Sequence, residues 1–163
     1  MRVYIPATVA MLRTFVDSGE LTPIGGTAFA LTPALRESYA AGDTEELEYA
    51  AMLDAARASL RLLAGDEKAE PRRAVIAVDM DDVTLRPDLD YSVVKVAGSA
   101  TMKDVASVHL DTSEAEEDVR AAAEVVDAAD MGDPDAEFTL GSAEDHELAW
   151  YAPQELPFVL ELM

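Results

Sequence analysis

Two histidines are the only imidazoles in the chain, and they bound its acid–base and metal chemistry. His109 stands in the run Val105-Ala106-Ser107-Val108-His109-Leu110, where strand alternation puts Ala106, Val108 and Leu110 on one face and Ser107 with His109 on the other. An imidazole on the polar face of a strand is able to act as a general base. No motif sets a nucleophile beside it, so the expectation is a structural histidine bonded to a neighbouring backbone group or carboxylate. His146-Glu147 opens like a zinc-hydrolase motif, but the second histidine position holds Trp150, which excludes that route to zinc. His146 itself reads as a surface residue.

Carboxylates are plentiful but poorly spaced for metal. Asp79, Asp81, Asp82, Asp88 and Asp90 fill a 12-residue window, yet Thr84 stands where a calcium loop needs glycine and Asp90 where it needs glutamate. A solvated acidic turn with weak, unspecific divalent binding is expected there. Asp130, Asp133, Asp135 and Glu137 read as a second acidic loop. Gly25-Gly26 lacks the third glycine and the Lys-Ser/Thr pair of a phosphate loop. With no cysteine, thiol nucleophiles, disulfides and Cys-bearing zinc or iron–sulfur sites are excluded. Neither a metal nor a cofactor is expected.

Aromatic residues concentrate at 147–158, which includes the single tryptophan, Trp150. Indole and phenol rings beside carboxylates form ligand walls or interface anchors. The competing expectation is that a lone indole in a small domain packs against the sheet. A ligand site, if formed, would gather Tyr4, Thr27, Tyr39, His109 and Trp150 around one cleft.

The elements that must position these residues follow from caps and periodicity. Residues 3–6 read as a first strand, and Thr8 caps a helix carrying Val9, Leu12 and Val16. Asp17-Ser18-Gly19 stops it, and 27–31 reads as a second strand. Thr32-Pro33 starts a short helix over 34–41. Asp43 three residues before Glu46 starts a long one from Thr44 to about Leu63. The uninterrupted apolar run 74–78 predicts a central strand, and 91–97 and 105–110 predict two more. Ser113 with Glu116 predicts a capping box before the stripe Val119, Ala122, Ala123 and Val126, closed by Gly132-Asp133-Pro134. Ser142 and Asp145 then open a last helical segment that carries Leu148, Trp150 and Tyr151 to the breaks at Pro153 and Pro157. The order indicates one α+β domain over residues 1–163, with a mixed or antiparallel sheet of about five strands and helices packed on it.

The chain has 163 residues, 28% of them charged, and a formal net charge of −21 from 33 acids against 12 bases. The excess is uneven: residues 111–163 hold 16 acids and one base, Arg120. Such a surface repels phosphate backbones and anionic lipid, which argues against nucleic acid and membrane as partners. It suits a cationic partner or a salt-adapted cytoplasm. No stretch approaches the roughly 18 apolar residues of a membrane span, and residues 1–6 do not read as a signal peptide, so a cytoplasmic protein is expected.

Five segments carry a resemblance: RVYIPAT at 2–8, GTAFALTPALRE at 26–37, ELEYAA at 46–51, ARASLRLL at 56–63 and AWYAPQELPF at 149–158. Over nearly its full length the chain resembles an uncharacterised family of small acidic actinobacterial proteins. The resemblance implies a bacterial cytoplasmic protein and supplies no catalytic residues. Val3-Tyr4, the run Gly26-Thr27-Ala28-Phe29-Ala30-Leu31-Thr32 and Tyr39 also resemble, in their order, the ADP-ribosyltransferase-like scaffold. Ile5 replaces the basic or histidine residue of that scaffold's first strand, and no ExE pair stands on a late strand. Two functions follow as expectations. The first is a non-enzymatic acidic binding or accessory protein acting through a protein partner or as a homodimer. The alternative is a small-molecule enzyme or ligand-binding module on a degenerate form of the scaffold.

Overall fold

The computed structural model describes residues 1–163. Its elements, in chain order, are β1 (Arg2–Ala7), α1 (Val9–Ser18), β2 (Glu20–Leu21), β3 (Thr27–Phe29), α2 (Pro33–Ser38), α3 (Thr44–Ala64), β4 (Ala74–Asp79), β5 (Val83–Leu85), β6 (Val93–Val96), β7 (Ala100–Thr101), β8 (Val105–Leu110), α4 (Glu116–Asp130), α5 (Pro134–Glu144), β9 (Ala149–Tyr151) and α6 (Leu156–Glu161). The first three helices start on the caps that the sequence supplies. Thr8 accepts the Met11 amide at 3.2 Å, Thr32 the Leu35 amide at 3.1 Å and Asp43 the Glu46 amide at 2.8 Å. Gly19, at φ 80°, closes α1 in the left-handed conformation that a side chain would resist.

β1 and β4 are apolar on both faces and lie side by side near the middle of the sheet, in antiparallel register from Arg2↔Asp79 to Ala7↔Ala74. The full order is β5-β6-β3-β1-β4-β8-β9, seven strands rather than five, with every neighbouring pair antiparallel. β2 and β7 form a separate two-stranded ribbon. The architecture is α+β, with helices on both faces of the sheet. Val3, Ile5 and Ala7 pack with Val9, Leu12 and Phe15 of α1 and with Leu156 and Leu160 of α6. The opposite parity, Tyr4, Val75 and Ala77, packs with Ala51, Met52 and Ala55 of α3. The far end of α3, Leu60 and Leu63, joins the α4–α5 hairpin through Val119, Ala122, Val126 and Leu140.

Several expectations need correction. Strand 27–31 ends at Phe29, helix 34–41 runs from Pro33 to Ser38, and strand 91–97 shortens to 93–96. In β8, Val108 and Leu110 face α1 as alternation predicts, but Val105 joins them while Ala106 turns toward α3. The cause is an irregularity in the β4–β8 pairing between Ala77 and Val78. The Ser113–Glu116 box does not form: residues 113–115 make a single tight turn and α4 begins without a side-chain cap. Asp133-Pro134, read as a stop, also starts α5, with Asp133 accepting the Asp135 amide at 3.0 Å. Of the four acidic residues there only Asp133 lies in a connection; Asp130 ends α4, and Asp135 and Glu137 belong to α5. Asp130 and Glu137 bind Arg57 and Arg61 of α3 at 2.7–3.1 Å. Finally, residues 149–151 form the edge strand β9 instead of a helix, and Trp150 is 60% exposed rather than packed in the core.

Candidate functional site

A row of cross-strand partners defines the floor of a cleft on the α3 face. Ala77 of β4 lies opposite Tyr4 of β1 on one side and Ser107 of β8 on the other. A methyl group between a phenol and a hydroxyl leaves a depression in the sheet. The next row carries His109 opposite Trp150 of β9. Above this floor α3 presents Glu45, Glu48, Tyr49 and Met52, whose i, i+3, i+4, i+7 spacing puts them on one helix face. Together with Arg2 these residues enclose about 570 Å³, within the size range of small-ligand sites.

Several polar groups in the cleft are held by hydrogen bonds. The Tyr4 hydroxyl donates to Glu48 Oε2 at 3.1 Å. Burial, reinforced by the Glu48 charge, pushes the Tyr4 hydroxyl far above its ordinary range, so it stays protonated as a donor. Arg2 grips Asp79 with Nε at 2.8 Å and Nη2 at 3.3 Å; the bond raises Arg2, lowers Asp79 and cancels their charges locally. Ser107 Oγ and His109 Nε2 are hydrogen-bonded at 2.9 Å. Burial lowers His109 from its ordinary value, leaving a neutral imidazole at neutral pH. With Arg2 paired and His109 neutral, Glu45 and Glu48 leave the cleft with a net negative lining. Trp150 and Tyr49, 60% and 48% exposed, supply its aromatic surface.

Two other clefts differ in kind. One, of about 610 Å³, is lined by Arg57, Arg61, Asp130 and Glu137, whose charges already satisfy one another. Asp54 stands in it, pushed up by burial and bonded by the Ser92 hydroxyl at 2.7 Å. The other, of about 580 Å³, lies between the end of α3 and α4 around Arg120 and has no aromatic side chain. No group of three or more His, Asp or Glu side chains is assembled to hold a metal ion, and no helix is long and apolar enough to cross a membrane.

Residues 1–160 match the profile of a family of unknown function, DUF6912. The chain belongs to the DUF6912 family. No curated protein and no solved structure matches it.

In this DUF6912 chain, three of the five residues singled out by sequence, Tyr4, His109 and Trp150, line the same cleft. Thr27 and Tyr39 do not. The Thr27 hydroxyl is held by Lys95 Nζ at 2.7 Å between β3 and β6, and Tyr39 ends α2 half-exposed to solvent. His146 is half-buried, bonded through Nε2 to Asp118 Oδ2 at 2.8 Å. Sequence reasoning missed the contribution of α3 altogether. Its signal was available in the spacing of Glu45, Glu48, Tyr49 and Met52, a stripe of mixed character that does not register as a buried face.

Proposed function

We propose that this chain is a non-enzymatic accessory protein of the bacterial cytoplasm that binds a basic protein partner, seating a lysine or arginine side chain in the cleft beneath α3. The observation that carries this reading is the exposed indole of Trp150 on the same cleft as Tyr49, Glu45 and Glu48. Aromatic faces attract cations through their quadrupole, and carboxylates add a directional charge. The only base in the lining, Arg2, is already committed to Asp79. At larger range the net charge of −21 steers cations toward the molecule.

Calorimetry with a lysine-rich peptide and its glutamate-substituted counterpart tests the reading. Because any basic peptide is drawn to an acidic protein, the decisive variant is Trp150→Ala, which leaves the net charge unchanged. Micromolar binding of the basic peptide alone, weakened about tenfold or more by Trp150→Ala and by Glu45→Gln with Glu48→Gln, is the expected outcome. Binding insensitive to these changes would assign the attraction to general charge and remove the site.

The Ser107–His109 contact favours a second reading, a small-molecule enzyme or ligand-binding module in the same cleft. A hydroxyl within hydrogen-bond reach of a neutral imidazole is the first pair of an acyl-transfer site. Turnover of a cationic ester that disappears in Ser107→Ala while peptide binding persists would favour it over the binding role.

A further inference from the structure

The edge of the sheet beside the cleft has chemistry of its own. β9 ends the strand order and pairs only with β8, so one side of its backbone has no strand partner. Its three residues, Ala149, Trp150 and Tyr151, include neither a charged side chain nor a proline that would blunt an edge. The strand is held at both ends. Arg73 Nη2, from a buried pair with Asp111, donates to the carbonyl of His146 at 2.9 Å, and the Ala152 amide donates to Glu155 Oε1 at 3.0 Å. An edge held in this way is ordered before a partner arrives, which lowers the cost of pairing with it.

We propose that β9 is a docking edge for an extended basic segment, which pairs with it as an eighth strand and turns a lysine or arginine toward Trp150. The proposal deepens, and rests on, the reading of the cleft as a cation site. Charge selects the occupant. Glu144, Asp145, Glu147 and Glu155 flank the strand, in a third of the chain whose only base is Arg120. An acidic segment is repelled there, and a second copy of this chain brings another −21. Strand spacing supplies the link between edge and cleft. An added strand lies about 4.8 Å from β9, with every second side chain on the α3 face. The segment that pairs with the β9 backbone therefore delivers a cation alongside the exposed indole in the same step.

The test uses the intact protein and a short capped peptide that alternates valine with lysine. Two N-methylated versions block the peptide's amides on one side or the other while keeping all its side chains. Expected are binding of the parent peptide, a loss of about tenfold or more in the version methylated toward β9, little change in the other, and slowed hydrogen exchange at residues 149–151. Binding that depends on Trp150 but tolerates both methylation patterns, with exchange unchanged, would overturn the edge proposal and leave the cleft reading standing. Absence of any binding by the parent peptide would overturn both. A stable dimer of the free protein with residues 149–151 already protected would overturn the proposal by giving the edge a different occupant.

Discussion

His109 couples the cleft to pH. Burial lowers its pKa in the folded chain below the unfolded value of about 6.5. Above that value both states are neutral and the fold carries no penalty from this residue. As the pH falls toward the lowered value, the unfolded chain takes up the proton first and stability is lost. Asp54 acts in the opposite direction: its raised pKa means that acid relieves a cost of burial. A comparison with His109→Asn separates the two. The melting temperature of the wild type relative to this variant is expected to fall between about pH 7 and pH 5. Cation affinity should fall over the same window, since a protonated His109 adds a like charge to the cleft. A difference that is flat with pH would contradict a buried neutral imidazole. Alternation alone put His109 and Ser107 on one face, but the expected partner of the imidazole was a backbone group or carboxylate and the structure gives it the Ser107 hydroxyl. The neighbours Ala77 and Trp150 were not legible, because they are set by register between strands distant in sequence.

At the scale of elements, a buried ion pair reaches the segment that leads into β9, since Arg73 Nη2 donates to the His146 carbonyl. Arg73 and Asp111 are almost wholly buried, with Asp111 Oδ2 accepting from both the backbone N–H and Nε of Arg73 at 2.8 Å and Oδ1 from Nη2. Removing one member leaves the other charged and unpaired, at a cost of about 3–5 kcal/mol. Asp111→Ala is therefore expected to lower the melting temperature by roughly 10 °C. It should also release the His146 carbonyl from its fixed donor, detectable as faster hydrogen exchange at residues 149–151 beyond that of an equally destabilised core variant such as Leu12→Ala. Equal acceleration in the two variants would mean that Arg73 does not position β9. Caps explain which elements were readable. Thr8, Thr32 and Asp43 each act locally, within three residues, and α1, α2 and α3 start where they stand. β9 has no such local signal. Three residues cannot display a period, and the strand forms because β8 offers an unpaired edge. α5 was hidden for a different reason: Asp133-Pro134 is at once the stop of one helix and the cap and first turn of the next.

For the molecule as a whole, charge and architecture divide the work. The sheet places Tyr4, Ala77, Ser107, His109 and Trp150 in adjacent rows, and α3 lowers two carboxylates and a tyrosine over them. The charge of −21 sets up a field that attracts cations and repels anions. The charge was legible from composition, and the α+β class from the order of the elements that caps and periodicity mark. The seven-stranded order was not legible, since short strands such as 83–85 and 149–151 are recruited by neighbours rather than by their own periodicity. The central claim is that Trp150 forms one wall of a cation site, and because it is the only tryptophan its emission reports that site without competing signals. Titration of the wild-type protein with the lysine-rich peptide, followed by tryptophan emission, is the direct measurement. Saturable quenching or a spectral shift is expected, with a midpoint that rises as salt increases from about 0.05 to 0.5 M and no change with the glutamate peptide. Calorimetric binding of the lysine peptide that leaves the emission of Trp150 unaltered would contradict the account.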